Sequence, residues 1–137
     1  MIDRLSPLRI LKATTIALVG SLIGNETIRM LTATTYGISP AFIPLEHGKI
    51  VFFTILGTVG AAIVRIAVHR SRQPARLFEI IAVIGLAVSI IPDILILSNP
   101  FPGTSLAEVV ALMCMHVVTA AICIGVLRLP SGHRQTT

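Results

Sequence analysis

A polytopic, all-α membrane four-helix bundle in up-down-up-down order is the fold this sequence predicts. Three observations predict it. Only 12% of the 137 residues are charged and 54% are hydrophobic, where a soluble domain carries about 25% charged residues. The apolar residues gather into four runs, at about 8–31, 50–68, 77–97 and 106–129, each close to the roughly 20 residues a helix needs to cross a bilayer core. The runs lack the alternation of strands, and unpaired backbone is too costly in lipid for anything but helices or closed barrels. The length suits one transmembrane domain over residues 1–137 and leaves no room for a second.

The start of the chain, into the first run, carries Arg4, Arg9 and Lys12. A basic start before an apolar stretch is also the opening of a secretory leader, but Leu31-Thr32 precedes Ala33, which is not a small-x-small cleavage pattern. The run is therefore expected to stay as a span. Gly37, Pro40 and Pro44 break the chain before the second run, and Pro74 marks the turn before the third. Pro92 falls inside the third run, where its missing N–H frees a carbonyl near Ala87–Val88 and is expected to kink the helix. Asn99-Pro100-Phe101-Pro102-Gly103 reads as a rigid turn. Ser105-Leu106-Ala107-Glu108 then has the capping-box pattern that opens the fourth run.

Charge sorts the connections. Basic residues cluster at the start, at Arg65, Arg70, Arg72 and Arg76 around the second connection, and at Arg128 and Arg134 in the tail. The third connection, SNPFPGTS, carries no charge, and the first has Glu46 and Lys49 without a basic cluster. By the positive-inside rule both termini and the second connection are cytoplasmic, which requires an even number of spans. The expected location is the plasma (inner) membrane, with the lipid bilayer as the first partner. The formal net charge of +5 is explained by these flanks, so nucleic acid is not an expected partner.

Polar residues fall in stripes. At roughly 100° per residue, Thr14, Ser21, Asn25, Arg29 and Thr32 share an arc of about 80° on the first helix. Thr54, Thr58 and Arg65 share a face of the second, and Ser89 and Asp93 stand one turn apart on the third. Glu108, Met115, His116, Thr119 and Cys123 lie within about 100° on the fourth. Polar groups in a bilayer face the bundle interior or a water-filled space. The stripes therefore define an outward-facing pocket of Asn25, Glu26, Arg29, Ser89, Asp93 and His116, with His116 near midplane as its floor. Glu26 and Arg29 are spaced to pair on their own helix; Arg29 alternatively reaches Asp93 or snorkels to the interface. Gly20-x-x-x-Gly24 and Gly57-x-x-x-Ala61 permit close helix approach.

Neither HExxH nor a His or Cys pair at metal spacing is present, so no metal and no cofactor is expected. Cys114 and Cys123 stand about 180° apart on a helix, which prevents their pairing and leaves them as small apolar residues.

Asn25, the Phe78 start of the third span, Ser89-x-x-Pro92-Asp93 and Met115-His116 together resemble a family of small four-span bacterial integral membrane proteins of unknown function. The resemblance covers most of residues 8–128 and implies a fold but no activity. Three classes of function follow from the residues. The first is a non-enzymatic membrane protein whose pocket binds or passes a small molecule, ion or proton. The second is an accessory or assembly subunit, docking other membrane helices or a second copy through its small-residue faces. The third, placed last and with no catalytic residue assigned, is an intramembrane acid/base enzyme using His116 with Asp93 or Glu26.

Overall fold

The computed structural model describes residues 7–100 and 102–128; Arg4, Phe101, Leu129 and Arg134 lie outside them. The protein is all-α among the described residues: α1 (Pro7–Thr35), α2 (His47–Ala67), α3 (Pro74–Ser98) and α4 (Leu106–Leu127). Short 3-10 turns at Ile43–Leu45 and Val68–Arg70 precede and follow α2. All four helices are long and apolar enough to cross a membrane.

Their side chains are distributed opposite to those of a water-soluble protein. Leu11, Ile23, Phe52, Ile63, Val88 and Leu106 are exposed, whereas Ser21, Asn25, Thr54, Thr58, Asp93 and Glu108 are buried. In water such an exterior would be a continuous apolar patch far beyond what a soluble monomer carries. Against lipid it is the stable arrangement, because the hydrophilic groups are the ones that need shelter. This is a membrane protein.

Helix α4 packs against the other three, most extensively against α1 and α3; α1 also packs along α2, while α2 and α3 meet only loosely. The α1–α4 seam is tight because Gly20 and Gly24 face Ile122 and Val118. The α2–α3 seam has no such closure: side chains added at Gly57, Gly60 or Gly85 would meet nothing within 4 Å. Helix α3 is the peripheral element, with only 6% of its apolar window buried. It runs through Pro92 as one continuous helix.

Two apolar clusters hold the ends. One joins Ala13, Ala17, Val68, Phe78, Cys123 and Leu127. The other joins Phe42, Leu45, Ile50, Val109, Ala111 and Met115. Along α1 and α2, Ser21, Asn25, Thr54 and Thr58 fall between these clusters, whereas buried Glu108 precedes the second cluster at the start of α4.

Contacts across the loops lock both ends. The capping box at Ser105 and Glu108 forms, with Ser105 N donating to Glu108 Oε2 at 2.8 Å and Glu108 N to Ser105 Oγ at 3.3 Å. The other carboxylate oxygen accepts from Ser39 N at 2.7 Å, so one buried side chain ties the first loop to the start of α4. Gly103, at φ +84°, sits against Ser39 and Ala41 with no room for a Cβ.

At the opposite end Arg65 keeps its place on the polar face of α2 rather than joining the basic connection: it lies in the last turn of α2, is 5% exposed, and donates from Nε to the Leu127 carbonyl at 3.0 Å. The last carbonyls of a helix have no partner of their own and carry the negative end of its dipole. Arg65 therefore closes α4.

Candidate functional site

The loose α2–α3 seam leaves a cavity of about 670 Å³, walled by α2, α3 and α4 and reaching Asn25 of α1. This is within the roughly 300–1,000 Å³ range of ligand pockets. Its walls are mainly apolar, with Phe53, Phe78, Ile81, Leu86, Leu112 and Met115 among them. Asn25, Thr54, Ser89, Asp93, His116 and Thr119 supply polar groups, and Lys49 stands at the end nearest the 36–46 loop.

Asn25 organises the back wall. Its Nδ2 donates to Thr54 Oγ1 at 2.9 Å and to Thr119 Oγ1 at 3.0 Å, joining α1, α2 and α4 through one amide. The Thr119 hydroxyl also lies 3.5 Å from Asn25 Oδ1, and the Thr54 hydroxyl donates back to the Ile50 carbonyl at 2.7 Å. A hydroxyl that bonds its own backbone carries no unsatisfied donor into lipid. Ser89 behaves similarly, donating to the Leu86 carbonyl at 2.8 Å.

Asp93 and His116 bring two ionisable side chains together. Asp93 is 4% exposed, and its Oδ2 lies 3.4 Å from His116 Nε2. The contact is short enough for charge attraction but is out of line for a hydrogen bond, so this buried oxygen has no hydrogen-bond partner. A buried carboxylate with an incomplete shell is expensive to maintain.

Four of the six residues singled out by the helical stripes line this cavity: Asn25, Ser89, Asp93 and His116. Glu26 and Arg29 do not. Arg29 Nε pairs with Glu26 Oε2 at 2.8 Å, and Glu26 Oε1 lies 2.8 Å from His47 Nδ1 at the start of α2. Arg29 therefore satisfies its charge one turn away on its own helix instead of crossing to Asp93. The Glu26–His47 contact is close but out of line for a hydrogen bond. Thr54 and Thr119 were on the polar stripes yet were not singled out; the mark they carried was their register with Asn25. Gly57, read in the sequence as a close-approach residue, does the reverse and, with Gly60 and Gly85, keeps the cavity wide.

A family model described as a family of unknown function (DUF6069) matches residues 8–132. The chain belongs to this family. The match covers all the described helices but the first residue of α1, and so every residue of the cavity. No curated protein and no solved structure matches the chain. Membership in the DUF6069 family thus brings no activity with it, and the chemistry of the cavity has to be argued from its own residues. Among the described residues no three His, Cys, Asp or Glu side chains gather as a metal-binding group.

Proposed function

We propose that this protein is a single-domain, four-span membrane protein that binds a small molecule in the cavity between α2 and α3, inside the bilayer. The observation that carries the reading is a buried, incompletely partnered Asp93 beside His116 on the wall of a largely apolar cavity of about 670 Å³. Apolar walls with a few convergent polar groups are the usual composition of a ligand site. Direct passage of a molecule, ion or proton across the membrane extends this reading, with Asp93 and His116 as its groups. The bundle runs up-down-up-down, with both termini and the Arg70–Arg76 connection in the cytoplasm of a plasma membrane, as the distribution of Arg and Lys favours. Asp93 lies five residues from the end of α3, about 7.5 Å along the axis, and with the termini in the cytoplasm that end is the outer one.

A structure in lipid nanodiscs tests the cavity. Ordered non-protein density between α2 and α3 supports the reading; a seam closed by direct helix contact, dry along its length, overturns it. Cysteines placed near the two termini and in the 36–46 loop, labelled from either side with an impermeant maleimide, test the orientation.

A second reading has its own support. Gly57, Gly60 and Gly85 present small residues along an unfilled seam, a surface that suits a helix of another subunit or a second copy. The same structure in lipid distinguishes the two, because an accessory subunit isolated alone leaves that seam to lipid chains without defined density. The acid/base pair of an enzyme is also present in outline, since Asp93 stands beside His116. The same pair serves binding without any further group, so binding is the reading adopted.

A further inference from the structure

We infer that the cavity selects lipophilic cations, with the positive centre held at Asp93 and the apolar body along the α2–α3 seam. The inference rests on the cavity being a ligand site and adds the charge of its occupant. Besides the Cys123 thiol, three groups on the cavity wall can carry charge: Asp93 on α3, His116 on α4 and Lys49 on α2; α1 contributes the neutral Asn25. They are not equivalent. Lys49 is exposed at the end of the cavity, where water takes up its charge. Asp93 is 4% exposed, and its Oδ2 has no hydrogen bond. Charge attraction strengthens as the local dielectric falls. The inner carboxylate therefore dominates over the rim ammonium for anything that enters the cavity. Among the described residues no Lys or Arg forms an ion pair with this carboxyl.

The shape restricts the remainder of the ligand. Between Lys49 and Val64 the cavity follows α2 for 15 residues, about 22 Å. Gly57, Gly60 and Gly85 keep it open on the α2–α3 side, and Phe53, Ile81 and Leu86 offer apolar contact. A small hydrated ion would gain nothing from these walls. An amphiphilic amine, phosphonium or quaternary ammonium compound gains from both the walls and the carboxylate.

The test uses two probes of nearly equal size and shape and opposite charge, tetraphenylphosphonium and tetraphenylborate. Each is titrated by equilibrium dialysis against the full chain in phosphatidylcholine nanodiscs. Gly85→Leu, which fills the cavity from a position with free space around it, supplies the background of non-specific partition. Above that background tetraphenylphosphonium is expected to bind saturably and more tightly than tetraphenylborate. Asp93→Asn is expected to weaken the cation by about tenfold, from loss of a low-dielectric charge pair, and to leave the anion unweakened. Lowering the pH is expected to weaken the cation as well. A proton on Asp93 removes the attracting charge.

Equal binding of the two probes, lost in Gly85→Leu but indifferent to Asp93→Asn, overturns the cation inference and leaves the ligand cavity standing. Tighter binding of the anion does the same. No saturable binding of either probe above the Gly85→Leu background overturns the inference and the ligand reading together. Should Asp93→Asn fail to fold, the order of the two probes on the wild-type protein decides the question alone.

Discussion

Asn25 Nδ2 donates to Thr54 Oγ1 at 2.9 Å, a hydrogen bond from α1 to α2 between side chains that are 4% exposed on both sides. The same amide reaches Thr119 on α4, so one side chain holds three helices at the back of the cavity. A single interhelical hydrogen bond in a membrane protein contributes about 0.6 kcal/mol on average. Truncating Asn25 removes two and leaves buried hydroxyls with fewer partners. Asn25→Ala is therefore expected to cost about 1–3 kcal/mol, read as a lower midpoint in thermal unfolding in detergent. An unchanged midpoint would mean that the three helices are held by packing alone.

The guanidinium of Arg65 makes a parallel case at the other end of the molecule. It donates to the Leu127 carbonyl, while its buried Nη1 has no hydrogen-bond partner. Arg65→Met keeps the aliphatic bulk and removes the donor. The expected result is a loss of about 1–2 kcal/mol and faster amide hydrogen exchange in the last turn of α4. Exchange unaltered at Ile124–Leu127 would show that the helix end is held by other groups.

How far the sequence leads to this arrangement depends on the range of the interaction. Hydropathy and length report on one segment at a time, and they are enough to mark four long apolar helices. The capping box is equally local, a matter of Ser105 and Glu108 three residues apart. Stripes on a helical wheel carry the next level, because burial of polar groups is set by rotation about the helix axis. That is how Asn25, Ser89, Asp93 and His116 were grouped before any distance was known. What a wheel does not hold is the choice of partner. Arg29 had two acceptors in range on paper, and the nearer one on its own helix took it. Arg65 could be grouped both with the polar face of the second helix and with the basic connection after it; its partner is set by where α4 ends, 62 residues later in the chain. Glycines are ambiguous for the same reason: Gly24 and Gly57 sit in similar motifs, one facing a helix and the other facing space.

Glu108 gives a prediction that separates its two roles. Its carboxylate accepts from Ser105 N within the cap and from Ser39 N across the first loop. Glu108→Gln preserves the shape but turns an NH2 toward one of two backbone donors. The expected cost is about 1–3 kcal/mol, above the roughly 1 kcal/mol of a typical cap alone. Limited proteolysis is the second readout: cleavage within 36–46 is expected to accelerate in the variant. A stability loss without new cleavage would confine Glu108 to capping.

The glycine pair allows a comparison within one protein. A Cβ at Gly24 would lie 2.8 Å from Val118 Cγ1, and Val118 is on the helix that α1 packs against most extensively. A Cβ at Gly57 would meet nothing within 4 Å. Both positions are inside helices, so replacing Gly with Ala gives each about 0.8–1.0 kcal/mol of helix propensity. At Gly57 that gain stands alone, and Gly57→Ala is expected to raise the unfolding midpoint. At Gly24 it is opposed by overpacking, which costs about 1–3 kcal/mol in a well-packed seam, so Gly24→Ala is expected to be neutral to destabilising. Gly24→Leu is expected to be strongly destabilising and Gly57→Leu tolerated. The order of the two leucine variants is the decisive measurement. If Gly57→Leu were the more damaging, the α2–α3 seam would have to be closed in the membrane, and the cavity on which ligand binding depends would not exist there.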